Sequence, residues 1–110
     1  RRVVNDPAVQ FTVLGAPVAS DASPLRKDVV KAVTKAVHAR FPGLQIAPSM
    51  SAGATDSVYF RANGIPCYGV AGLFMKSSDD FSHGLNERAP VAAIPGALAH
   101  WDSLLHDLSK

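Results

Sequence analysis

Val9, Phe11 and Val13 alternate with Gln10 and Thr12, so residues 9–14 carry one apolar and one polar face. Period two marks a strand with one buried side, and Gly15-Ala16-Pro17 punctuates its end. The spacing then lengthens. Leu25, Val29, Val33 and Val37 recur on one helical face after Ser23-Pro24, which supplies an N-cap and a proline for the first helical position. Phe41-Pro42-Gly43 stops that run, so an amphipathic helix is predicted between these signals. Residues 44–47, ending at Pro48, and residues 65–70, apolar on both sides, read as short strands. Between them Thr55 caps a short helix that runs through Asn63, with Asp56 in its first turn and Gly64 at the C′ position. Residues 72–89 show no period. In the last stretch Ile94, Ala97, Leu98, Trp101, Leu104, Leu105 and Leu108 form one stripe with Pro95 near the first turn, predicting a core-packing helix. Helices alternating with short strands give an α/β fold class with a layered arrangement.

Composition narrows the picture. Hydrophobic residues are 47% and charged residues 18% of the 110, which excludes disorder, and no apolar run reaches the roughly 20 residues of a membrane span. A soluble globular chain is expected. The net charge is +2 with the basic residues scattered, so nucleic acid is not expected as a partner, and with no spanning run neither is a membrane. A single cysteine, Cys67, rules out an internal disulfide and a cysteine-rich metal site. The length suits one ordinary domain but is small for an enzyme that must also enclose a substrate, and Arg1-Arg2-Val3-Val4-Asn5 is no signal peptide. The chain reads as a segment of a larger protein.

Two places can carry chemistry. The aperiodic loop holds Ser82-His83-Gly84-Leu85-Asn86-Glu87-Arg88, and loops of that length in compact domains are functional or disordered. A lone loop histidine is more often solvated than a ligand. Upstream, Ser51-Ala52-Gly53-Ala54-Thr55-Asp56 is a small-residue turn entering a helix N-terminus. Free amides there favour an anion such as a substrate carboxylate, but an ordinary cap by Thr55 explains the same residues, and the local sequence does not choose. His38 falls on the polar side of its helix, and His100 and His106, six apart, share no face, so surface positions are expected for all three. Asp79-Asp80 reads as a solvated pair, Cys67 as an inert buried thiol, and Ser51 lacks the first glycine of a nucleophile elbow.

Taken in order, residues 49–57 (Ser-Met-Ser-Ala-Gly-Ala-Thr-Asp-Ser), Phe60-Arg61-Ala62-Asn63-Gly64-Ile65-Pro66 and His83-Gly84-Leu85-Asn86-Glu87-Arg88 resemble the end of a known family. It comprises carboxypeptidase S, aminoacylase, acetylornithine deacetylase and succinyl-diaminopimelate desuccinylase. The resemblance runs from about Val9 to Leu108, and the Gly-Ala-Thr-Asp turn with the His-Gly-x-Asn-Glu-Arg loop is most similar to the carboxypeptidase S branch. It implies the C-terminal part of a mixed-sheet zinc-exopeptidase catalytic domain. Residues 1–15 would be the last strand of an inserted lid or dimerisation domain, and residues 16–110 the returning catalytic segment. It further implies two zinc ions in the whole protein, with His83 matching the last protein ligand. Gly53, Ala54 and Thr55 would bind the substrate carboxylate and Asn86 would sit beside the metal. One histidine cannot retain a metal that wants about four ligands. The resemblance places the others upstream, in a His-x-Asp segment and a Glu-Glu pair that would include the general base, so no catalytic residue is expected in this segment.

The implied activity is metal-assisted hydrolysis of an amide bond in N-acyl amino acids or short peptides with a free carboxylate. The implied partners are that substrate, the rest of the catalytic domain and a second copy joined through the inserted domain. Glu87 and Arg88 fix the loop or touch substrate, and Arg61 makes a structural ion pair or contributes to the site. The rival reading is a binding or assembly module that keeps the fold without a complete metal site.

Overall fold

The computed structural model describes residues 4–16, 18–51 and 53–110. Arg1 to Val3, the Pro17 of the Gly15-Ala16-Pro17 punctuation and the Ala52 of the turn before Thr55 lie outside the described residues. Among the described residues three α-helices form: α1 (Lys27–His38), α2 (Ser57–Ala62) and α3 (Ile94–Leu108), with 3-10 turns at Ser77–Asp79 and at Val91–Ala93, the second leading directly into α3.

The first helix begins three residues later than the Ser23-Pro24 signal suggests, with Arg26 in the N-cap position. Ser23 is otherwise engaged: its Oγ accepts the Cys67 amide at 2.8 Å, so a local cap is traded for a tertiary bond. Asp28 sits in the first turn, where its charge suits the helix N-terminus, and it pairs with Arg26. The short α2 ends as its sequence signals predict but starts differently, with Asp56 in the N-cap position, making no side-chain cap bond, and not in the first turn. Thr55 Oγ1 accepts the Ser57 amide at 3.3 Å. At the other end the Ile65 and Gly64 amides bond to the carbonyls of Phe60 and Arg61, with Gly64 at φ +78°. That is a Schellman ending, which needs a left-handed residue at C′.

Tertiary structure is centred on α1 and α3. Ala32, Ala36 and Leu104 are buried together, with Val33 and Val70 packed around them, and Val29 and Val37 complete the apolar core. The two alanines let the helices approach closely. Lys35 bonds Asp107 through both carboxylate oxygens at 2.9 and 2.7 Å, while Arg40 lies under Gly96, so contacts progress in opposite directions along the two helices. The inward face of α3 is not the stripe that hydrophobicity marks. Ala97 and Leu104 turn inward with His100, whereas Leu98, Trp101, Leu105 and Leu108 remain exposed.

No strand forms among the described residues, which overturns the α/β mixed-sheet expectation. Alternation encodes the face a segment would bury, but a strand exists only when a neighbour completes its hydrogen-bond ladder. Residues 9–14, 44–47 and 65–70 find no such neighbour among the described residues. Val9 bonds back to the Asp6 carbonyl, and residues 65–70 are held by Ser23 and by Tyr68 Oη donating to the Pro24 carbonyl at 2.7 Å. The chain exposes 9486 Å² and has a radius of gyration of 18.6 Å. A compact monomer of this mass would expose roughly 5,800 Å² with a radius of about 13 Å. Much apolar surface therefore lacks a cover. No helix of the described residues is long and apolar enough to cross a membrane.

Candidate functional site

The loop that carries His83 is fixed to α3 at both ends. Its start passes flush against the helix at Gly72, where a Cβ would stand 2.7 Å from Trp101 Nε1 and 3.3 Å from the Ala97 carbonyl. Arg40 Nη1 donates to the Gly72 carbonyl at 2.6 Å, and its guanidinium lies 4.8 Å from the Phe74 ring centroid. The other end runs through the Val91–Ala93 turn into α3.

Between these anchors the loop folds on itself. Asp80 accepts hydrogen bonds from the Ser82 amide, at 3.0 Å, and from the Ser82 hydroxyl. These bonds hold its carboxyl below the usual range, with nearby His83 adding a smaller pull in the same direction. The Gly84 amide bonds to the Phe81 carbonyl at 3.2 Å, and the Arg88 guanidinium stacks 3.5 Å from the centroid of the Phe81 ring. Of the two roles open to Arg88, the structure shows the loop-fixing one. His83 has φ +58° and Asn86 φ +63°, both left-handed. Asn and His adopt this conformation more readily than other side chains, and Asn5 shares it at φ +41°. Both side chains are exposed, and neither makes a hydrogen bond among the described residues.

The second candidate is the turn before α2. Its Gly53 amide is bonded to Ser51 Oγ at 3.2 Å, and Thr55 Oγ1 is used by the Ser57 amide. Gly53, Ala54 and Thr55 are all exposed. Nothing among the described residues bonds this turn to the His83 loop. The structure thus brings His83 and Asn86 into one loop and leaves Gly53, Ala54 and Thr55 apart from them. A shallow cavity of about 180 Å³ lies beside Ser23, Arg61 and Ile65 and contains none of these residues. Arg61 makes no ion pair among the described residues; its Nε donates to Ser20 Oγ at 3.1 Å.

His100 is the residue that periodicity misplaced. It is 1% exposed at the centre of the α1–α3 contact, edge-on to Phe74 at 5.8 Å and to Trp101 at 6.3 Å, and neither ring nitrogen has a hydrogen-bond partner among the described residues. Burial pushes its pKa down, and the nearby positive charge of Arg40 pushes the same way. The spacing Ala97, His100, Leu104 was the available signal, masked because a histidine is not counted on an apolar stripe. His100-Trp101-Asp102 is also a His-x-Asp triplet. It is not a metal-binding one here, because residues two apart on a helix point away from each other and Asp102 is exposed.

No group of three or more histidine, cysteine or acidic side chains that could hold a metal is assembled among the described residues. An exposed His83 with unbonded ring nitrogens fits the role of one ligand in a set completed by other residues, and no more than that. Comparison with curated proteins and with solved structures finds no match. Comparison with protein families matches residues 7–107 to the peptidase family M20/M25/M40. That span contains both candidate segments, and the chain accordingly belongs to peptidase family M20/M25/M40, a family of hydrolytic metallopeptidases.

Proposed function

We propose that this chain is part of a zinc-dependent hydrolase that cleaves the amide bond of N-acyl amino acids or short peptides with a free carboxylate. The observation that carries this reading is the match to the peptidase family over residues 7–107, which includes the His-Gly-Leu-Asn-Glu-Arg loop with its exposed, unbonded His83. His83 holds one zinc ion through a ring nitrogen, and the remaining ligands and the general base come from outside residues 1–110. Bound there, zinc would supply Lewis-acid chemistry for hydrolysis of the amide bond. Asn86, three residues on and unbonded to its own loop among the described residues, would hydrogen-bond the substrate beside the metal. Gly53, Ala54 and Thr55 form the turn that meets the substrate carboxylate, the Gly53 amide exchanging its bond to Ser51 Oγ for the ligand. Residues 1–15 belong with an inserted lid or dimerisation domain that joins two copies, and residues 16–110 finish the catalytic domain. The excess of exposed apolar surface supports a chain that packs against the rest of such a domain.

The rival reading is a binding or assembly module without a complete metal site; the lack of a metal cluster among the described residues is equally expected of a segment that supplies one ligand, so experiment must separate the two. The deciding experiment measures intact mass and zinc content of the whole protein, and its hydrolysis of a panel of N-acyl amino acids and dipeptides. The enzyme reading expects about two zinc ions per chain, and at least a ~100-fold loss of activity in His83→Ala, since even the partners of metal ligands cost 10–100-fold. A metal-free, inert whole protein means the module reading is correct.

A further inference from the structure

His83 and Asn86 need something to keep them left-handed. Neither side chain is tied down by a hydrogen bond among the described residues, and Asp80, the nearest acid with bonded oxygens, is engaged with Ser82. The segment is closed at a single neck. Arg88 lies over the Phe81 ring at 3.5 Å, and Phe81 also accepts the Gly84 amide through its carbonyl. Phe81 is half-buried while residues 82–88 are exposed, so the ring is the fixed side of this contact. Arg88 makes no ion pair with Asp79, Asp80 or Glu87. The ring face is the contact its guanidinium makes, and both left-handed residues lie in the short stretch that the contact encloses.

We infer that Arg88 and Phe81 form a clasp that positions His83 for the metal, making both of them positioning residues; this rests on His83 being a zinc ligand. Opening the clasp releases the two left-handed residues into the conformations that side chains prefer, and the imidazole then approaches the ion from a wider range of directions. Metal affinity falls even though no ligand has been removed.

The test uses the whole protein that carries this chain, in the parent form and as Arg88→Met, Arg88→Lys, Phe81→Leu, the Arg88→Met/Phe81→Leu double variant and His83→Ala. Zinc dissociation constants come from competition with a chromophoric chelator. The visible absorption of the cobalt-substituted protein reports ligand geometry, and thermal unfolding of each metal-free form separates a local change from general destabilisation. Arg88→Met and Phe81→Leu are each expected to weaken zinc binding about tenfold and to alter the cobalt bands. The double variant is expected to be no weaker than either single one, and Arg88→Lys, which still places a cation on the ring, to recover part of the loss. Zinc affinity within twofold of the parent and unchanged cobalt bands in Arg88→Met and Phe81→Leu, with metal lost in His83→Ala, would overturn the clasp alone. Full zinc retention in His83→Ala would overturn the clasp and the metal reading together.

Discussion

Two histidines of this chain stand in opposite situations. His100 has an ordinary helical backbone and a side chain shut away from water without a partner among the described residues, whereas His83 has a left-handed backbone and an exposed side chain. The first is held by packing: Phe74 and Trp101 edge-on, Ala36 beneath, and Leu104 one turn further along α3. The second is held by its loop, through the Asp80–Ser82 turn and the Arg88–Phe81 contact. Burial of an unpartnered polar group is a cost that the α1–α3 core must offset, and the left-handed backbone is a cost that the loop must offset. The two sites therefore respond oppositely to the same kind of change. Repairing the local defect of His100 leaves the candidate metal chemistry intact, while repairing that of His83 removes it.

The largest effect is expected from collapsing the packed side of the comparison. Leu104 is 2% exposed in a core of few large side chains, so Leu104→Ala should cost about 2–5 kcal/mol in chemical unfolding of the whole protein. With alanines already opposite, little is available to refill the space. A cost below about 1 kcal/mol would mean that α1 and α3 do not meet as described, and that the burial of His100 is not real.

The helices were legible because each carries its own signals. Pro95 and a dense apolar stripe mark α3, and Gly64 marks the end of α2. What was not legible depends on neighbours. Nothing in the order of residues says that Ser23 will serve Cys67 instead of its own helix, or that Ala32 and Ala36 will draw His100 inward in preference to Leu98 or Leu105. The alternation at Val9, Phe11 and Val13 is a further case, because a pattern of faces cannot supply the ladder partner that a strand requires. The candidate site divides in the same way. The His83 loop could be found by its motif, whereas its clasp and the left-handed φ of His83 and Asn86 emerge only from the folded chain.

An intermediate effect is expected from His100, and its sign follows from the direction of its shift. Its pKa is lowered in the folded state by burial and by Arg40, the charged group that bears on it from the turn after α1; Phe74 and Trp101 contribute no charge, and the Ala36 backbone, which does not reach hydrogen-bond geometry with either ring nitrogen, pulls the other way. The unfolded chain therefore binds a proton at about pH 6.5, before the folded one does, so the stability present above that pH is lost as pH falls below it. Unfolding midpoints measured from pH 8 to 5 should decline below about pH 6.5. In His100→Phe that decline should flatten, with a gain of about 1 kcal/mol at pH 7 because an unpartnered polar ring is replaced by an apolar one. An unchanged acid decline in the variant would place the pH sensitivity elsewhere.

The smallest effect sharpens the comparison most. At φ +58° His83 holds a conformation that glycine adopts freely, so His83→Gly relieves a local cost that for ordinary side chains is about 1–2 kcal/mol, partly diluted because the loop is exposed. Stability of the zinc-free whole protein should rise by up to about 1 kcal/mol. Saturating zinc, which stabilises the parent by binding its folded form, should stabilise this variant much less. The two measurements must diverge: a side chain retained only for the loop's shape would leave the zinc response untouched, whereas a ligand kept at the expense of its own backbone gains stability without metal and loses it with metal. Equal zinc stabilisation of parent and variant would remove the reason for regarding His83 as anything other than a solvated loop residue.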